Sequence, residues 1–132
     1  ALADAAGIKI INSIDNKISL KADKDSFTTI FSNLINNAIK YSKKGGLVQI
    51  EAIENTNAII ISISDNGVGI EKKYLDKVFN RFYRTPKARA NSKGTGLGLA
   101  LVKQLTARMN ADVDIDSKIG KGSTIFVTFH TK

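Results

Sequence analysis

The sequence lacks cysteine and tryptophan, and it holds a single histidine, His130, and a single proline, Pro86. The absence of cysteine excludes disulfide bonds and thiolate metal sites, and it favours a reducing compartment without deciding the matter. With no second histidine or cysteine, we expect His130 to be a surface residue with no candidate partner rather than a catalytic or metal-binding one. No apolar run approaches the ~20 residues that a membrane-spanning helix needs.

The chain is rich in positive charge, with 20 lysines and arginines against 12 acidic residues and a net charge of +8. This balance favours an anionic partner, which could be a nucleotide, a nucleic acid or an acidic lipid. The length is that of one domain, residues 1–132. The opening ALADAAGIKI has no signal-peptide pattern and looks like a helix ended by Gly7. We therefore expect residues 1–7 to be the tail of an upstream helix in a longer protein.

Hydrophobic periodicity predicts consecutive pairs of strands separated by helices. The predicted strands are Ile8–Asn12, Lys17–Lys21, Leu47–Glu54, Ala58–Ser64, Ala111–Ser117 and Ser123–His130. The predicted helices are Asp25–Ser42, a short one over Glu71–Asn80, and one that runs from the GTGLG stretch to about Met109. Paired strands disfavour a doubly wound parallel sheet. We predict an α+β fold, a two-layer α/β sandwich in which a mixed, mostly antiparallel sheet carries its helices on one face.

The predicted helix Asp25–Ser42 has two distinct faces at roughly 100° per residue. Its apolar stripe is typical of the core face of an amphipathic helix and comprises Phe27, Ile30, Phe31, Leu34, Ile35 and Ala38. The other stripe carries Asn33, Asn37 and Lys40, although asparagine is a mediocre helix former. Two amide oxygens and an ammonium in a row could hold a hydrated metal ion and an anion together. An ordinary solvated face is the alternative.

The motif DNGVGI follows a strand that we predict to be buried and central. A carboxylate at Asp65, held by glycine-rich backbone, can accept a hydrogen bond from an exocyclic amine such as that of adenine. Gly67 and Gly69 remove the β-carbons that would block a flat ring. The alternative is a plain turn from a strand to a helix, in which Asp65 caps the helix.

Two further glycine-rich stretches lie later in the chain. GTGLGLA, which begins at Gly94, opens a helix whose first amides attract phosphate, although a flexible hinge would have the same pattern. The basic loop Arg84–Lys93 before it resembles a lid, with a disordered surface loop as the alternative. The turn GKGST at residues 120–124 brings small and hydroxyl residues to the end of a strand, where a simple hairpin turn is the alternative.

In this order, the motifs NLINNAIKYS, DNGVGI, FNRFYR, GTGLGLALVK and GKGST resemble the N, G1, F, G2 and G3 boxes of the catalytic and ATP-binding domain of sensor histidine kinases. These domains lie within the wider Bergerat-fold ATPase group. The resemblance covers nearly the whole chain, and five motifs in one order make coincidence a poor explanation. It implies a Bergerat fold with ATP and Mg²⁺ between the first long helix, a lid at residues 84–93 and the second long helix.

The resemblance also implies roles for individual residues. Asn37 looks like the magnesium ligand, Asn33 like a supporting asparagine near the phosphates, and Arg84 like a lid-side cation. Asp65 would accept from the adenine amine, in a slot shaped by glycines. The implied catalytic residues are Asn33, Asn37, Lys40 and Arg84. The implied nucleotide contacts are Asn33, Asn37, Lys40, Tyr41, Asp65, Gly67, Gly69, Ile70, Lys93, Gly94, Thr95, Gly96, Leu97, Gly98 and Ser123.

The reaction class follows from one position. Relatives that hydrolyse ATP or phosphorylate serine usually carry glutamate, a base, where this chain has Asn33. The asparagine favours transfer of the γ-phosphoryl group to a histidine on a separate dimerisation domain of the same protein. A response regulator is the expected further partner. We expect a cytoplasmic domain with no nucleic-acid or membrane contact of its own. The alternatives are a nucleotide-binding regulatory module without kinase activity and a basic nucleic-acid-binding domain.

Two stretches depart from the pattern of these kinase domains. Asn110-Ala111 stands where a Gly-Gly usually follows the second long helix, and Phe129-His130 replaces a Leu-Pro near the end. We expect both to be packing positions that leave nucleotide binding intact.

Overall fold

A computed structural model describes residues 7–15, 18, 20, 22–42, 45–75, 77–79 and 98–131. The elements in chain order are β1 (Lys9–Asn12), α1 (Lys24–Tyr41), β2 (Leu47–Glu54), β3 (Ala58–Asp65), a 3₁₀ turn (Lys72–Tyr74), α2 (Gly98–Arg108), β4 (Ala111–Lys118) and β5 (Gly122–His130). Within the described ranges, no helix is both long and apolar enough to cross a membrane.

The strands form one five-stranded sheet in the order β1-β2-β3-β5-β4. β1 runs parallel to β2, and the other neighbours are antiparallel, so the predicted mixed, mostly antiparallel sheet is confirmed. β3 lies at the centre, as its apolar residues predicted. Its register with β5 places Asp65 directly opposite Ser123. The first described residues are tied to the segment just beyond α1, because Gly45 donates a backbone hydrogen bond to the carbonyl of Gly7.

Helix α1 begins at the cap residue Asp23, whose carboxylate accepts a hydrogen bond from the backbone N–H of Ser26 at 2.9 Å. Four of the six predicted core-face residues are buried, and the other two, Phe27 and Ile35, are partly buried and pack against the same core. Phe27 links the helix layer to the sheet, because the centre of its ring lies 4.5 Å from the ring centre of Phe31 on α1 and 5.9 Å from the ring centre of Phe129 on β5. α2 packs beside α1 and against β4, so both helices cover the same face of the sheet.

Two predicted elements differ from the structure. The short helix predicted over Glu71–Asn80 is, in its described part, a single 3₁₀ turn at Lys72–Tyr74 followed by turn residues, although Val78 is buried as an amphipathic helix would require. The strand predicted over residues 17–21 is not formed at Ile18 and Leu20, the two described positions. Both side chains pack against the core without strand pairing, and Ile18 closes a turn by donating to the carbonyl of Asp15.

The two departures from the kinase pattern have a physical explanation. Asn110 has φ of 54°, a left-handed conformation that asparagine tolerates better than other residues with a side chain. Ala111, which follows it, is buried in the core. Phe129 is also buried and packs on the aromatic rings of α1. The expectation of packing positions therefore holds for Ala111 and Phe129, whereas Asn110 and His130 are exposed.

His130 is exposed, but the expectation that it has no partner was wrong. Its Nε2 lies 2.7 Å from Oδ2 of Asp112 on the neighbouring strand β4. That pairing could not be inferred from two residues that are far apart in the sequence.

Candidate functional site

The DNGVG turn after β3 is wedged between the end of α1 and the turn that joins β4 to β5. A β-carbon on Gly67 would collide with the carbonyl oxygen of Tyr41, and one on Gly69, whose φ is +74°, would collide with the carbonyl oxygen of Lys118. Two hydrogen bonds hold the wedge, since Val68 donates to Tyr41 at 3.4 Å and Gly120 donates to Val68 at 2.8 Å. The glycines are therefore required by close backbone contact within the protein.

Asp65 stands at the head of this turn with a half-buried carboxylate. Its Oδ1 accepts a hydrogen bond of 2.9 Å from the backbone N–H of Gly67, as the glycine-rich motif predicted. Burial raises the pKa of Asp65 above its ordinary value, and backbone hydrogen bonds from Gly67 and Ser123 oppose that rise. A partly desolvated carboxylate with a fixed position is suited to accept a hydrogen bond from an exocyclic amine.

The β4–β5 side of the turn is fixed by serine hydroxyls. Ser117 accepts a hydrogen bond of 2.7 Å from the amide of Ile70 and lies 2.6 Å from the hydroxyl of Ser123. Gly122, with φ of +115°, packs so closely on the carbonyl of Asp65 that a β-carbon there would collide with it. Asp65, Ile70 and Ser123, which were predicted separately from two motifs, thus lie in one cluster.

The α1 side of the site carries the predicted carboxamides. Asn33 and Asn37 lie one turn apart on the helix, and both are partly buried. Nδ2 of Asn33 donates to the carbonyl of Thr29 at 2.8 Å, which commits its nitrogen and leaves Oδ1 out of that hydrogen bond. Lys40 is exposed, and its ammonium lies 5.4 Å from the ring centre of Tyr41.

The described contacts join the two sides of the site through the backbone of Tyr41, which touches the DNGVG turn directly. α2 begins at Gly98, the last residue of the GTGLG stretch that was predicted to open this helix. The lid predicted at residues 84–93 lies outside the described residues. So do six of the predicted nucleotide contacts, namely Arg84, Lys93, Gly94, Thr95, Gly96 and Leu97.

Sequence reasoning missed two contributors to the site. The Tyr41 carbonyl is a backbone group, which no motif marks. Ser117 had a usable signal, because it occupies an inward position of the alternating strand β4 and lies opposite Ser123 across the hairpin. Asn66 adds support, since its side-chain oxygen accepts from the amide of Leu47 at 2.9 Å and holds the turn to β2.

The donor set suits a magnesium ion that arrives with phosphates. Within the described residues, no group of three or more His, Asp or Glu side chains could hold a metal ion by itself. Magnesium needs no such cage, because it keeps several waters and uses one or two protein oxygens together with substrate phosphates. The carboxamide oxygen of Asn37 fits that limited role.

The comparisons with known proteins agree with this geometry. The family model described as "Histidine kinase-, DNA gyrase B-, and HSP90-like ATPase" matches residues 22–132. The chain belongs to this ATPase family. The similarity to the sensor histidine kinase WalK of Bacillus subtilis (strain 168) is 43% identity over 126 residues, which cover 93% of this chain and 21% of WalK. The chain thus spans about a fifth of the length of that curated relative.

Solved structures place the domain in the same group. The mycobacterial sensor histidine kinase MprB superimposes with a TM-score of 0.86 at 25% identity, over 98% of this chain and 88% of that one. Full-length ShkA, solved in complex with AMPPNP, gives a TM-score of 0.84 at 25% identity, over 97% of this chain and 26% of that one. The predicted resemblance to the catalytic and ATP-binding domain of sensor histidine kinases, and the predicted fold, are confirmed.

Proposed function

We propose that this domain binds ATP together with Mg²⁺ and presents the γ-phosphoryl group to a histidine on another domain. The observation that carries the proposal is the wedged DNGVG turn, which holds the carboxylate of Asp65 beside Ser123 and packs against the end of the helix that bears Asn33 and Asn37. The likeness to full-length ShkA, which was solved with AMPPNP, supports it.

Each residue of the described site has a task in this proposal. Asp65 accepts from the adenine amine, and Gly67 and Gly69 keep the turn close to its neighbours. Asn37 supplies an amide oxygen to Mg²⁺, and Asn33 supports it near the phosphates. In this role the metal offsets phosphate charge while positioning does most of the catalytic work. Because position 33 is an asparagine and cannot act as a base, α1 only orients the nucleotide, and another domain supplies the nucleophile.

The remaining contacts belong to the same proposal. Lys40 and Tyr41 line the phosphate and ribose side. Ile70 and Ser123 border the purine. Arg84 is a lid-side cation, and the stretch Lys93–Gly98 brings glycine-rich backbone and the start of α2 to the phosphates.

The whole protein extends beyond this domain in the proposal. We infer that the acceptor histidine lies on a dimerisation domain of the same chain, that a response regulator receives the phosphoryl group, and that the domain works on the cytoplasmic side. These inferences rest on the relationship to sensor histidine kinases, of which this chain covers only part.

The test compares Asn37→Ala with Asn36→Ala by calorimetry, using AMPPNP with and without Mg²⁺. Asn36 is a matched control, since it is the preceding asparagine on the same helix and is exposed. Asn37→Ala should lose the part of the affinity that depends on Mg²⁺, whereas Asn36→Ala should bind like the wild type. The same variants are then assayed for phosphoryl transfer from ATP to the histidine-bearing dimerisation domain.

The outcomes separate the candidate functions. Wild-type transfer by Asn37→Ala would refute the role given to Asn37. Nucleotide binding by the wild type without transfer to the histidine domain would favour a regulatory module. No detectable heat at millimolar AMPPNP would refute nucleotide binding altogether.

A further inference from the structure

The hydroxyl of Ser117 lies where three other groups meet at the purine end of the site. Its Oγ is 2.7 Å from the amide nitrogen of Ile70, 3.1 Å from the carbonyl oxygen of Gly122 and 2.6 Å from Oγ of Ser123. Ser117 is partly buried on the inward face of β4 and pairs with Ser123 in the strand register. None of the five motifs contains it.

The donors and acceptors around Ser117 can be assigned. A serine hydroxyl has one proton to donate and two lone pairs to accept. The Ile70 amide can only donate and the Gly122 carbonyl can only accept, so Ser117 accepts from the first and gives its proton to the second. One lone pair remains, and it takes the proton of Ser123. The Ser123 oxygen is then left with acceptor capacity alone.

That assignment bears on Asp65, because Asp65 and Ser123 are direct partners on β3 and β5. Directly paired residues on neighbouring strands direct their side chains to the same face of a sheet. The end of the sheet beside the DNGVG turn therefore presents a carboxylate and a hydroxyl oxygen that both accept hydrogen bonds.

We propose that Ser117 is a positioning residue for the purine: it fixes the Ile70 backbone and turns the Ser123 hydroxyl into an acceptor, so that this edge selects a 6-aminopurine over a 6-oxopurine. This inference rests on the proposed nucleotide binding. It assigns base selection to a residue that does not itself touch the base.

The test measures the affinities of ATP and inosine triphosphate for the wild type and for Ser117→Ala by calorimetry. Ser117→Ala leaves the Ile70 amide unpaired and frees the Ser123 proton. We expect ATP to bind roughly five- to thirty-fold more weakly and inosine triphosphate to change by less than about threefold, so the ratio of the two affinities falls. Ser117→Thr keeps the hydroxyl and should keep the ratio near that of the wild type.

Ser64→Ala is the matched control, because it removes another part-buried hydroxyl contact, 3.0 Å from Thr124, on the opposite face of the sheet. It should leave both affinities unchanged. Equal weakening of both nucleotides by Ser117→Ala, or no weakening of ATP, overturns the inference. If thermal melting shows that Ser117→Ala does not fold, Ser117→Cys, with a thiol that bonds weakly, must show the same fall in the ratio.

The failure of this inference is distinguishable from that of the proposed function. Wild-type protein that binds neither nucleotide refutes nucleotide binding itself. Wild-type protein that binds both with equal affinity keeps nucleotide binding and refutes the role of Ser117 in base selection.

Discussion

Gly67→Ala tests the wedge that joins the DNGVG turn to α1. The added β-carbon would collide with the carbonyl oxygen of Tyr41, and it would lie 2.9 Å from Oδ1 of Asp65. The turn and the helix end must separate by roughly 1 Å to restore ordinary contact distances. Overpacking of this kind costs about 1–3 kcal/mol. Loss of the hydrogen bond from Val68 to Tyr41 adds up to about 1 kcal/mol.

The expected loss of unfolding free energy is therefore about 1–4 kcal/mol. For a chain of this size, that loss lowers the melting temperature by roughly 3–16 °C. Nucleotide affinity should fall as well, because the movement carries Asp65 away from the end of α1. Urea denaturation and thermal melting measure the first effect, and calorimetry with AMPPNP measures the second.

Gly45→Ala is the control for the loss of a glycine without a collision. Gly45 has φ of +77°, and a β-carbon added there would meet no heavy atom within 4 Å, so alanine costs only the left-handed backbone conformation, about 1–2 kcal/mol. Gly67 does not have a left-handed φ, and its expected cost comes from the collision alone. If Gly67→Ala were no less stable than the wild type, the wedge would not be the reason for that glycine.

Two further substitutions have clear expectations. Because burial raises the pKa of Asp65 in the folded state, the folded protein binds that proton more tightly than the unfolded chain does, and the free energy of unfolding falls as pH rises from the ordinary pKa through the raised one. Asp65→Asn should abolish ATP binding and should also flatten this pH-dependent fall in stability, as measured by urea titrations across pH. An unchanged pH profile would contradict burial as the cause of the raised pKa. Asn110→Ala should destabilise the domain by about 1 kcal/mol, whereas Asn110→Gly should not, because φ at this position is 54°; equal melting temperatures for the two variants would refute the role given to the left-handed backbone.

The sequence predicted those features that depend on local patterns. The alternation of β2 and the apolar residues on both faces of β3 predicted the bounds of these strands almost to the residue and put Asp65 at the end of a buried central strand. The apolar stripe of α1 predicted which side chains would be buried, and the asparagines on its other face followed from the same periodicity. These signals are local because one turn of helix or two residues of strand suffice to set which way a side chain points.

The missed features depend on which distant groups meet. The alternation of residues 17–21 predicted a strand. Ile18 and Leu20 do pack against the core, but period-two spacing cannot say whether a neighbouring strand is available to pair. The alternation of β4 marked Ser117 as inward-facing, but only the register of β4 and β5 showed that its hydroxyl lies beside Ser123. The Tyr41 carbonyl has no side-chain signal at all, yet it fixes how closely the turn approaches α1.

The hydrogen bond between Gly45 and Gly7 has a mechanical consequence. It is continued by the bond from the amide of Lys9 to the carbonyl of Gly46, so the start of the domain is stitched to the segment just beyond α1. Tyr41, whose carbonyl abuts the DNGVG turn, is the last residue of that helix. A force applied to the chain before β1 would therefore act within a few residues of the Tyr41 carbonyl, which contacts the DNGVG turn. It would reach this contact through backbone hydrogen bonds rather than through the hydrophobic core.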